Sequence, residues 1–173
     1  MPLTKIQSLG ITDGTIVNAD INASAAIAGT KLTGVGKVLQ VVTATDSTQR
    51  STSSTTFVTA SNTLSVAITP SSASNKIFVI TTFTGYANDT SYSAFWTIFR
   101  DATNLGSTNG MINNFGSGGS RSIGNPMAMS ILDSPNTTSE VTYQVYTKAE
   151  SGTTAIMVYD NNKTSITAFE IAG

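Results

Sequence analysis

From Lys37 onward the chain keeps returning to one pattern, in which apolar and polar residues change places at every step. The stretch EVTYQVYTK at 140–148 sets Val141, Tyr143 and Val145 on one side, with Glu140, Thr142, Gln144 and Lys148 toward solvent. A period of two is that of a strand with one face covered and one face wet, because successive side chains leave a strand on opposite sides. The same reading applies to VLQVVTAT at 38–45, LSVAIT at 64–69, SAFWTIF at 93–99 and PMAMSIL at 126–132. IFVITTF at 77–83 is β-branched and nearly continuous, as a central strand is, and a further strand is expected near 55–60. Residues 155–171, AIMVYDNNKTSITAFEI, read as two strands joined by a polar turn at Asn161 and Asn162. Breakers fall between these runs at Pro70, Gly85, Asn88, 101–104 and Pro135.

That spacing predicts an all-β chain: an antiparallel β-sandwich, jelly-roll-like, over residues 37–173. Alternation places Glu170 on the outward face. It assigns Phe95, Trp96, Phe99, Tyr143, Tyr146, Tyr159 and Phe169 mostly to the core. The segment 104–126, NLGSTNGMINNFGSGGSRSIGNP, reads as one long connection anchored by Met111, Ile112 and Phe115. Long loops in compact domains often carry function; a hairpin with an irregular turn, or a subunit contact, explains this one as well.

Residues 1–36 obey another rule. Ile11, Ile16, Ile21, Ile27 and Leu32 stand five or six residues apart among Gly, Ala, Asn and Thr. No helix face or strand face has that period. Asp20 could cap at most one short helix through Ala25–Ile27, closed by Gly29. So lean a segment cannot offset its own ordering entropy, so it is expected to order by packing on other subunits. Three copies around an axis would each supply one apolar residue per layer; alternatively the segment drapes over a neighbour as an arm. Either way 1–36 is an extended assembly or anchoring arm, and 37–173 is the displayed domain.

The chain holds neither His nor Cys. This removes the Ser–His–Asp arrangement, disulfides, and the usual zinc and iron ligand sets. The ten acidic residues are scattered singly, and a glycosidase would need two of them facing across a cleft. No enzyme activity, cofactor or metal is expected. Net charge is −1, which gives no bulk attraction to nucleic acid. No apolar run nears the ~18 residues of a bilayer span, and no secretory leader is expected at 1–10. Charged residues are only 11%, while Ser and Thr make up 51 of 173 residues, so the surface is hydroxyl-rich. Tyr86 and Tyr92 flank the polar turn NDTS and could stack on a sugar, although packing explains them too. With Met111, Phe115 and Arg121 they are the candidate receptor or subunit contacts.

The stretch GTIVNADINASAAIAGTKL at 14–32 closely resembles an N-terminal motif of fibre and appendage proteins of tailed bacteriophages, especially those of marine and cyanobacterial hosts. The join GKVLQVV at 36–42 and the ending SITAFEIA at 165–172 are similar to the same group. The resemblance implies a homotrimeric virion protein made in the host cytoplasm. Its N-terminal element would dock on a tail or major capsid protein, and its β-sandwich knob would face a host cell-surface glycan or protein. Some members look like tail fibres and others like capsid decoration, or cement, proteins. A free carbohydrate-binding domain is the reading from outside the group.

Overall fold

The structure, a computed structural model, describes residues 38–89, 91–115 and 124–173. The expectations for Ile11, Ile16, Ile21, Ile27, Leu32 and Arg121, and for a short helix in the arm, lie outside the described residues.

Twelve strands make up the described chain. They are β1 (Val38–Asp46), β2 (Arg50–Thr52), β3 (Val58–Thr59), β4 (Ser65–Ile68), β5 (Lys76–Ala87) and β6 (Ser93–Arg100). Then follow β7 (Thr103–Asn104), β8 (Ile112–Phe115), β9 (Asn125–Asp133), β10 (Val141–Ala149), β11 (Ala155–Met157) and β12 (Thr164–Ile171). Several are collinear pieces of one longer row. β1 and β2 run along β12 and β11 respectively, while β3 and β4 share one edge of β10, and β7 and β8 share one edge of β6.

Counted as rows in chain order, there are eight. The first sheet, sheet A, has the order β1/β2, β12/β11, β5, β9. The second, sheet B, has the order β3/β4, β10, β6, β7/β8. The first row thus pairs with the last, the second with the seventh, the third with the sixth and the fourth with the fifth, all antiparallel. This is what results when one long hairpin is rolled into two sheets, and it is the jelly-roll topology. The expected fold class is met, and the strand order is now fixed.

Alternation supplies the core. β10 is buried at every odd position from Val141 to Ala149 and only half-buried between them. Val66 and Ile68 of β4, Ile77, Val79 and Phe83 of β5, and Ile166 and Ala168 of β12 complete the slab from their own inward faces. Trp96 of β6 is wholly buried at its centre, with its ring 5.8 Å from that of Phe83. Gly85 of β5 lets the indole in: a Cβ there would stand 3.0 Å from the ring and 2.9 Å from the Ile156 carbonyl oxygen.

Two expectations change. Residues 155–171 do not form a hairpin, since β11 and β12 both pair with β5, end to end along its edge. Val158, Asp160 and Asn161 all have φ between 54° and 58°, in the left-handed region, so the chain jogs there instead of reversing. The jog is matched by the break between β1 and β2. The Gln49 amide donates to Asn161 Oδ1 at 3.1 Å, and the Asp160 amide donates to Gln49 Oε1 at 3.2 Å. Second, 104–126 is no uniform loop. Ser107 and Gly110 close a tight turn, and β8 then joins sheet B. Gly110 sits at φ 76°, and a Cβ on it would meet the Trp96 carbonyl oxygen at 2.5 Å.

Replacing Trp96 by Ala removes the largest side chain of the slab from a site that cannot collapse. We expect a loss of about 3–5 kcal/mol in unfolding free energy by chemical denaturation. A loss below ~1 kcal/mol would contradict the core described here.

Candidate assembly surface

The two sheets treat their outer faces differently. On sheet B the chain covers its own aromatic residues. Phe99 stacks on Tyr146 with ring centroids 4.0 Å apart and meets Phe57 edge-on at 6.0 Å. Lys148 lies over the Phe57 and Phe95 rings and donates from Nζ to the Thr108 carbonyl at 2.7 Å. The turn at 107–110 is thereby tied down onto the sheet. Phe95, Phe99 and Tyr146 are thus outer-face residues, not core as alternation implied; the core is reached from this sheet by Trp96 and Tyr143.

Sheet A has such cover only at its far end, where Tyr159 closes over Tyr86 of β5; its remaining rows have none among the described residues. Its pairing registers align Val41 of β1 with Phe169 of β12, Phe169 with Phe78 of β5, and Phe78 with Leu132 of β9. One unbroken row of large apolar side chains therefore crosses all four strands on the outward face. Val41 and Leu132 at its ends are each 54% exposed, and the Phe78 and Phe169 rings lie 6.1 Å apart. The next row aligns Thr43, Thr167, Ile80 and Ser130. The row after that reads Thr45, Ser165, Thr82 and Ala128, without a charge. Farther along, the face recedes into a cleft of about 370 Å³ bounded by Thr82, Thr84, Pro126, Ala128 and Lys163. Among the described residues, four of the six exposed large apolar ones, Val38, Leu39, Val41 and Leu132, belong to sheet A's two edge strands. Singly exposed apolar residues are ordinary; a contiguous set marks an interaction site.

The edges sharpen the contrast. Sheet B ends in strands of two and four residues. Sheet A ends in β1 and β9, nine residues each, and neither carries a charge before its final Asp. Long uncharged edges invite pairing with another chain unless something covers them.

The buried carboxylates are occupied with structure. Asp46 Oδ2 accepts from the Ser61 hydroxyl at 2.5 Å, with Arg50 Nη2 at 3.6 Å, and its Oδ1 accepts from the Thr48 amide at 2.9 Å. Burial alone would raise its pKa, but these donors hold it well below the usual carboxylate range. Glu170 is 2% exposed and faces inward, the reverse of its expected side. Its Oε1 accepts from the Ser71 amide at 2.6 Å, the Ser71 hydroxyl at 2.8 Å and Asn75 Nδ2 at 2.7 Å. Burial again acts upward, and these donors outweigh it, so the pKa is lowered. Alternation misassigned Glu170 because its apolar neighbours Phe169 and Ile171 face out, while the inward phase of β12 holds Ile166, Ala168 and Glu170 itself.

Asp133 ties sheet A to sheet B, accepting from Arg100 Nη1 at 2.9 and 2.7 Å and from the Tyr143 hydroxyl at 2.6 Å. Burial and the adjacent Asp133 both push the Tyr143 phenol far above its usual range. Burial works against the Arg100 cation, but Asp133 reverses it and raises that pKa. No group of three or more acidic residues that could hold a metal occurs among the described residues.

Of the expected contact residues that are described, Tyr92 and Phe115 are exposed and neighbouring, since Phe115 pairs with Ser93, while Tyr86 and Met111 are largely covered. Tyr86 is 7% exposed and packs edge-on against Tyr159 at 5.1 Å, so it offers no face to a sugar; the pairing with Tyr92 is withdrawn. Its position next to a turn concealed that β5 extends to Ala87, where Tyr86 keeps the outward phase of Phe78 and is covered by Tyr159. Tyr92 is 37% exposed and lies over Gly152. Met111 packs against the core from its rim, and Phe115, at 59% exposure, ends β8. The sequence reading missed the sheet A row, whose only sequence signal is apolar residues on both phases of 77–83 and 165–171.

No family model matches this chain, and no curated protein does. Among solved structures, it is similar to the VP2 protein of infectious bursal disease virus in a subviral particle, at 14% identity and a TM-score of 0.38. That match covers 76% of this chain and 39% of VP2. A D431N mutant VP2 in T=1 particles gives 15% identity and 0.38, and the Gx strain gives 16% and 0.37; each match covers 76% of this chain and 36% of that one. The chain thus spans about two-fifths of the length of the structures it matches. Likeness at this level does not bear on function. The jelly-roll assignment rests on strand order and register.

Asp46 and Glu170 predict an acid limit. A carboxylate whose folded pKa is depressed contributes stability above its unfolded value and loses it as pH falls through the folded one. With ordinary values of 3.8 and 4.5, the melting midpoint should hold down to about pH 5 and then drop. Glu170→Gln should cost about 1–3 kcal/mol at pH 7 and flatten the upper part of that drop in a pH series of melts. An unchanged acid limb in both Glu170→Gln and Asp46→Asn would contradict the assignment.

Proposed function

We propose that the chain is a non-enzymatic virion structural protein, a trimeric phage appendage of the short-fibre type. In this reading residues 1–36 anchor it to the particle, and the β-sandwich of 37–173 is displayed for contact with a host-surface glycan or protein. The observation that carries the reading is the outer face of sheet A, which the described residues leave largely uncovered, apolar and nearly free of charge. Such a face suits a subunit held against neighbours better than a free-standing catalyst. Two further points support it. The most deeply buried carboxylates are engaged by structural donors, which suits holding the fold together better than general acid–base work. The 14–32 stretch also resembles the anchoring motif of phage appendages.

A second reading is capsid decoration, with the arm clamping neighbouring capsomers. It is favoured by the same apolar outer face of sheet A, which a capsomer could cover as well as a sister copy. Both readings share the anchor and the bare face, and they differ in number and place.

The test is quantitative mass spectrometry of purified particles, with the major capsid protein as internal standard. The fibre reading predicts a small multiple of three copies per particle, located at the tail by immunogold labelling. Hundreds of copies spread over the head would replace it with decoration. Absence from particles would sink both.

A further inference from the structure

We propose that sheet A's outer face is the surface by which three copies of this chain pack about a common axis, with the Val41–Phe169–Phe78–Leu132 rows converging on it. This rests on the trimeric reading above and assigns it a surface.

The first argument is charge. The three rows described across this face carry no ionisable side chain; the lysines of the face, Lys76 and Lys163, lie beyond them at either end. Such a surface can meet its own copy without burying an unpaired charge, the usual obstacle to self-association.

The second is width. Four strands about 4.8 Å apart make a face roughly 19 Å wide. Three such faces closing as a triangular prism place each sheet about 5.5 Å from the axis. That is close to half the ~10 Å at which sheets pack face to face. Side chains of Phe and Leu length therefore reach the axis, leaving neither clash nor channel at the apolar row. A much wider sheet would leave a hole, and a narrower one would clash.

The third is level. The registers put Val41 and Leu132, on opposite edges, in one row perpendicular to the strands. Rotation about an axis parallel to the strands preserves height. It therefore brings Leu132 of one copy to the level of Val41 of the next. β1 and β9 also run in opposite directions, because three successive antiparallel pairings separate them. At each corner of the prism one uncharged nine-residue edge meets another in antiparallel sense, and all three pairs of edges are covered at once.

The fourth is area. A face roughly 19 Å by 30 Å gives about 570 Å² per copy before the edges are added, shared between two neighbours, so the edge strands must contribute much of each pairwise contact. The cleft opens at the far end of the third row, where Thr82 and Ala128 line it with Thr84 and Lys163.

The test uses the full chain at micromolar concentration, with mass read by light scattering on a sizing column. Wild type should run as a trimer. Val41→Asp/Leu132→Asp places six carboxylates around the axis and should abolish the trimer peak, leaving a monomer with an unchanged far-ultraviolet spectrum; both positions are already 54% exposed in a single copy. Asn113→Asp, exposed on β8 of sheet B, should leave the trimer intact. If the double variant does not fold, Thr43→Arg in the neighbouring row gives the same reading. A trimer that survives both sheet A variants would overturn this assignment while leaving the trimeric appendage standing. A wild-type monomer or dimer would overturn both.

Discussion

The described domain depends on one slab of apolar side chains between two four-row sheets, with Trp96 at its centre. The slab sets the inward phase of every strand. Moving any strand by one residue would turn its apolar set outward, so pairing register and core composition fix each other. Gly85 and Gly110 are needed because the indole and its own backbone occupy the space where a Cβ would stand. At the rim, Asp133 joins Arg100 and Tyr143 across the sheets, while Asp46 and Glu170 pin the loops at 61–63 and 71–75. The polar interior is small, and its buried carboxylates are all hydrogen-bonded; among the described residues the Trp96 indole N–H and the Thr153 hydroxyl are buried without a protein partner.

With that core in place, the asymmetry of the outer faces becomes informative. Sheet B spends Phe57, the 107–110 turn and the Lys148 amine on covering its aromatic residues. Sheet A has Phe78, Phe169, Val41 and Leu132 in line, with two long uncharged edges beside them. A face of this kind on a solitary domain is an aggregation hazard; in a closed assembly it is an interface.

Most strands were legible in the sequence, because alternation over seven or more residues is a strong signal. β10 is the clearest case: its inward and outward residues fall as its period of two dictates. β2, β7 and β8 were not legible, since two to four residues carry no period and are held only by partners distant in sequence. Glu170 was placed on the wrong side for a related reason. Phase is normally read from the apolar residues, and β12 has them on both: Phe169 and Ile171 face outward while Ile166 and Ala168 enter the core. The jog at Val158 resembled a hairpin turn because Asp-Asn-Asn suits either geometry. The level apolar row could not be read at all, because it exists only once the registers of four strands are known.

The account's central claim is that neighbouring copies bring Val41 and Leu132 together. The chain has no cysteine, so a Val41→Cys/Leu132→Cys variant gives thiols without background. Within one copy these positions stand about three strand spacings apart, roughly 14 Å, too far for a disulfide. Mild oxidation followed by non-reducing electrophoresis should produce a covalent series that stops at three chains. Chains that stay single, or a ladder running past three, would contradict it.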